Sequence, residues 1–160
     1  MTDTVLQFKK LAKSLNREVE AQDPKACMRV RAAFRDTVSV PDAGVAAQFG
    51  LRQAQHVIAV EHGFKDWKDL QGRRQIELQL AITLARESDL NNAGMGLSRD
   101  DRKKPRDERD AILKKDRAEI WTRIDAIELA VAWLKEKVKP IKTFSTWRTS
   151  YGTKHIAEPD

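Results

Sequence analysis

Residues 54–70 read AQHVIAVEHGFKDWKDL. Ala54, Val57 and Ile58 recur at helical spacing, which predicts a helix over 51–62. Gly63 stands where a left-handed residue ends a helix, and Phe64 is then placed to fold back as the usual apolar contact. Asp66 can cap a second, short helix in which Trp67 and Leu70 point inward. The outline is helix, turn, helix, so a DNA reader has to be weighed. A recognition helix needs several polar side chains free to meet base edges. Here the exposed positions alternate Lys65, Asp66, Lys68 and Asp69, and two aspartates facing phosphate are costly. The stretch therefore reads as a packed corner closed by Phe64, Trp67 and Leu70.

Working towards the N-terminus, Val5, Phe8, Leu11, Ala12, Leu15 and Val19 form one apolar stripe over 4–21, with Lys9, Lys10, Lys13 and Arg17 away from it. Asp23-Pro24 pairs a good N-cap with proline at the first helical position, so this helix should end near Gln22. A second helix follows through Ala26, Cys27, Val30, Ala33 and Phe34, and the tight joint implies an antiparallel hairpin. Residues 36–50 hold a proline, two glycines and no sustained period, which reads as mostly loop.

Towards the C-terminus, Ile76, Leu78, Leu80, Ile82 and Leu84 alternate as in a strand, but the surrounding Gln, Glu, Ala, Leu and Arg favour helix. Residues 89–105 read as a linker, with Asn-Asn, two glycines, a charge run and a closing proline. Beyond it Leu113, Ile120, Ile124, Ile127, Val131, Leu134 and Val138 keep a heptad spacing, with Arg117 in the one missing slot. That is a narrow seam on a long helix ending at Pro140, widened by Trp121 and Trp133. A seam of this kind wants one helical partner, either the 73–88 helix in an internal hairpin or the same helix of a second chain. The first is favoured because the 89–105 loop is long enough to reverse the chain. Residues 141–160 break the period and mix aromatics with basic residues.

The chain has 160 residues, a single cysteine and a formal charge of +6. No run of apolar residues is long enough to span a membrane, and the N-terminus lacks the features of a secretory signal. With one cysteine, Cys27, no internal disulfide can form, and a cytoplasmic setting is expected. Lys and Arg outnumber Asp and Glu by 8 to 4 over residues 1–35 and by 6 to 3 over 135–160. The basic ends suit phosphate backbones, acidic proteins or anionic surfaces, or simply a solvated face.

Catalytic patterns are weak. Cys27 falls on the apolar face of its helix, with no histidine near it in sequence. His56 and His62 are six residues apart and cannot form the i, i+4 metal pair of a zinc helix. NAGMGL lacks the strand and lysine of a phosphate loop. No catalytic residue, cofactor or metal is expected; an enzyme built on a carboxylate or on His155 is the least favoured alternative. The C-terminal segment is a better electrostatic candidate. Lys137, Lys139, Lys142, Arg148 and Lys154 would contact phosphates, and Trp147 and Tyr151 would stack on bases. The plainer alternative docks the two aromatics on the long helix.

The motif Ala-Gln-x-x-Ile-Ala-x-x-x-Gly-Phe-x-x-Trp-x-x-Leu at 54–70, preceded by the AQDP joint at Ala21–Pro24, resembles a helical N-terminal module. That module is found before ankyrin repeats and in bacterial proteins assigned to the glyoxalase superfamily. The resemblance covers about residues 5–72 and implies a compact all-α packing unit. No ankyrin repeat follows and no glyoxalase metal ligands are present, so neither activity carries over. Ser150–Glu158, SYGTKHIAE, is similar to a Ser-Tyr-Gly-x-Lys-His motif of small uncharacterised phage and plasmid proteins. In those an Asn-Gly-x-Phe-Ile stretch usually follows, so a truncated or divergent motif is expected here.

The resulting expectation is an all-α protein. A compact helical module (1–72) precedes a long helical hairpin, or a coiled-coil dimer helix, over 73–140, and an irregular basic tail over 141–160. The expected function is non-catalytic binding by a mobile-element accessory protein, with nucleic acid as the leading partner. The alternative is a protein-protein adaptor, or an inhibitor of a host system such as a defence system, acting through the seam.

Overall fold

The computed structural model describes residues 4–138, and these form an all-α fold with one very small sheet. The chain divides into two compact units, one ending at Ser88 and the other starting at Asp89.

In the first unit, α1 (Thr4–Glu20) buries Thr4, Phe8, Ala12, Leu15 and Val19. Leu11, expected in that stripe, is 41% exposed, and Thr4 takes a place on the buried face instead. Gln22 follows in the left-handed region at φ 58°. Its N–H donates to Val19 O and that of Asp23 donates to Glu18 O, which satisfies two carbonyls at the helix end. Asp23 then caps α2 (Pro24–Ala33) by accepting from Ala26 N at 2.8 Å. The expected joint is present, and α1 packs on α2.

Residues 36–50 are more ordered than a loop. A 3-10 turn at Arg35–Thr37 leads to α3 (Asp42–Gln48), which buries Val45 and packs on α1 and α2. Arg31 fastens it by donating to Val40 O and Asp42 Oδ1. Such a short helix has little stability of its own and forms where tertiary packing supports it, which a local period cannot reveal.

Helix α4 (Leu51–Glu61) buries Ala54, Val57, Ile58 and Ala59 and packs mainly on α1. Gly63 has φ 84°; its N–H reaches Val60 O, and Phe64 N–H reaches Ala59 O. Phe64 is buried with its ring edge-to-face against Phe8 of α1. Asp66 accepts from Asp69 N and starts α5 (Trp67–Gly72), in which Leu70 is fully buried and Trp67 half-buried. The ambiguous 73–88 segment is helical: α6 (Gln75–Arg86) buries Ile76, Leu78, Leu80, Ala81 and Leu84. It packs on α1, and Gln75 Nε2 donates to Thr4 Oγ1. Its apolar face therefore helps to close the first unit, and the boundary falls after Ser88 rather than at the expected position 72.

The second unit opens with what the sequence suggests is a linker. Strands β1 (Leu90–Asn91) and β2 (Gly94–Met95) pair antiparallel, Leu90 with Met95 and Asn91 with Gly94. Asn91 is buried and satisfied, donating to Gly96 O and accepting from Ala93 N. A 3-10 turn at Asp101–Lys103 precedes α7 (Arg106–Thr122), and α8 (Ile124–Lys137) follows. The long helix is thus interrupted at Arg123 (φ −106°, ψ 20°). Thr122 Oγ1 donates to Glu119 O at 2.7 Å immediately before the break.

Candidate nucleic-acid interface

The basic N-terminal face is set by the core side of α1. Because Phe8, Ala12, Leu15 and Val19 point inward, Lys9, Lys10, Lys13 and Arg17 point outward, and all four are exposed. At 3.6 residues per turn they occupy about 100° of the helix circumference and about 12 Å of its length. None of the four is ion-paired among the described residues. The acids of the same helix are engaged elsewhere: Glu18 accepts from Ser14 and lies 3.8 Å from Arg29, and Glu20 accepts from Asn16. Four exposed cations on one rigid helix can meet successive phosphates without first paying to break local salt links.

At the other end, Lys135 and Lys137 are exposed on the last turn of α8. Lys137 pairs with Glu136 at 2.6 Å. Lys139, Lys142, Trp147, Arg148, Tyr151 and Lys154 lie outside the described residues. Along the expected seam only Ile120 is buried. Leu113, Ile124, Ile127 and Val131 are half-buried, while Leu134 and Val138 are exposed.

The 54–70 corner spends its polar groups on itself. Asp66 caps α5, and Asp69 accepts from Lys65 N and pairs with Arg73 at 3.0 Å. The Lys65 amide, and after it Arg73, holds the Asp69 carboxyl below the usual carboxylate range. Little of this short helix is left to read bases. His62 Nδ1 lies 2.8 Å from Ile58 O with its ring edge-on to Phe8, and His56 tilts against Phe34. Burial, reinforced by Asp42, pushes the Cys27 thiol up, so it is protonated at neutral pH. Among the described residues no three His, Cys, Asp or Glu side chains gather as a metal site, and no helix is long and apolar enough to cross a membrane.

In comparisons with known proteins, no family model, curated protein or solved structure matches the chain.

Proposed function

We propose that this chain is a non-catalytic binding protein that acts on nucleic acid through its basic surfaces, as an accessory protein of the phage or plasmid type. The observation that carries the reading is the α1 face, where Lys9, Lys10, Lys13 and Arg17 are exposed together and unpaired among the described residues. In this reading Lys137, Lys139, Lys142, Arg148 and Lys154 add phosphate contacts, and Trp147 and Tyr151 stack on bases. Phosphate contacts release counterions, so binding weakens steeply with salt. The test is a mobility-shift titration against single- and double-stranded DNA and RNA at two salt concentrations. Replacing Lys9, Lys13 and Arg17 together by Ala should weaken binding across sequences and reduce the logarithmic salt slope by about three. Absence of binding to all four nucleic acids at low salt overturns the reading.

A second reading is favoured by one observation. Helix α8 holds Ile124, Ile127, Leu129, Val131, Trp133 and Leu134 yet buries none of its side chains, and Leu129 is 73% exposed. A helix that is apolar around most of its circumference is ordinarily buried. An adaptor, an inhibitor of a host system, or a homodimer held through α8 fits that surface.

A further inference from the structure

The second unit contains a cavity of about 560 Å³ whose lining includes three arginines, Arg102, Arg106 and Arg109. Arg106 and Arg109 sit in the first turns of α7, on the same helical face as Asp110 and Leu113. The helix dipole does not favour them there. The N-terminal end of a helix carries partial positive charge, so cations there are unfavourable and an anion is favoured. Nor is Arg109 explained by a salt link. Its Nε is buried without a hydrogen-bond partner, and the group makes no ion pair among the described residues. A buried donor left unmade is costly, and an unfilled ligand site is one reason for a fold to keep it. Arg102 is held in place because its Nε donates to Leu97 O at 2.8 Å.

We propose that this cavity binds a nucleoside monophosphate, free or as the 5′-phosphorylated end of a strand. Three planar guanidinium forks match the oxygens of a phosphomonoester. Met95, Leu97 and Leu113 give the same cavity an apolar wall for a base, and its volume is that of a small-molecule pocket, far more than one phosphate needs. Asp89 and Asp110 complete the lining. Their carboxylates can accept from sugar hydroxyls or base amino groups, and they repel further phosphates, which selects a monophosphate over a triphosphate. Asp110 already faces Arg106 at 3.8 Å, so the wall retains an excess of positive charge. The site uses no residue of α1 and does not depend on the basic face of the first unit.

The experiment is calorimetric titration of the full chain with AMP, GMP, CMP and UMP, their triphosphates, inorganic phosphate, and a short oligonucleotide with either a 5′-phosphate or a 5′-hydroxyl. At least one monophosphate or the 5′-phosphorylated oligonucleotide is expected to bind, more tightly than its triphosphate or 5′-hydroxyl counterpart. Whichever of the two sources binds identifies the natural one. Arg109→Ala should weaken that binding about tenfold or more, by loss of charge-assisted hydrogen bonds. The exposed Arg102→Gln serves as a second variant if Arg109→Ala does not fold. Lys9, Lys13 and Arg17 variants should leave it unchanged, so this site and the α1 face can fail separately. No binding of any nucleotide or oligonucleotide end overturns the proposal. So does inorganic phosphate binding as tightly as the best nucleotide, or binding unaffected by both arginine variants.

Discussion

At the scale of single residues, the same device ends two helices with different side chains. Gly63 and Gln22 both occupy the left-handed position after a helix, at φ 84° and φ 58°, and both feed the paired hydrogen bonds that close the helix end. Glycine adopts that conformation without cost, whereas a β-carbon crowds the neighbouring carbonyl. Gln22→Gly should therefore stabilise the first unit by about 0.5–1 kcal/mol, the strain relieved less the extra freedom given to the unfolded chain. A thermal melt that moves upward by roughly 2–8 °C would agree with this, and a lower melting temperature would contradict it. Gly63 was legible as a cap because glycine announces the position, while Gln22 was not. Only the following Asp23-Pro24 pointed to a helix end there. Gly44 is constrained for another reason, since a β-carbon there would lie 2.7 Å from Val40 Cγ1.

At the scale of elements, the helices with strong periods or caps were readable and the short or interrupted ones were not. Helices α1, α2, α4 and α5 match their expected spans closely, and α6 resolved in favour of composition over alternation. Helix α3 was missed because a single buried valine and an arginine clamp from α2 hold it, and neither leaves a period in the chain. The division of the long helix at Arg123 was missed because its heptad spacing passes through the break unchanged. The exposed apolar surface of α8 is the element-scale consequence. If it is a homodimer seam, light scattering of the intact protein should give twice the monomer mass at high concentration. Ile127→Asp with Leu134→Asp should return the mass to that of one chain. A wild-type protein that stays monomeric at the highest attainable concentration removes the homodimer and leaves a different protein as the occupant.

At the scale of the whole molecule, apolar burial is concentrated in the first unit. Nineteen of the twenty buried apolar side chains among the described residues lie before Asp89, and Ile120 is the exception. A unit with its own core should fold alone. Residues 1–88 expressed as a fragment should be helical by circular dichroism and melt in one cooperative transition, whereas cutting at 72 should abolish it by removing α6. A fragment 1–72 as stable as 1–88 would refute that role for α6. The sequence by itself determined the helical class, the caps at Asp23, Gly63 and Asp66, and the outward basic face of α1. Those depend on groups within one or two turns of each other, where hydrogen bonding and periodicity act locally. Only the tertiary structure decided that α6 belongs to the first core, that α3 is a helix, and that Arg102, Arg106 and Arg109 line one cavity. In the chain Arg102 belongs to the charge run of the expected linker, whereas Arg106 and Arg109 lie beyond its closing proline, and no local period groups the three. They are brought together because the 3-10 turn folds Arg102 back beside the face of α7 that carries the other two.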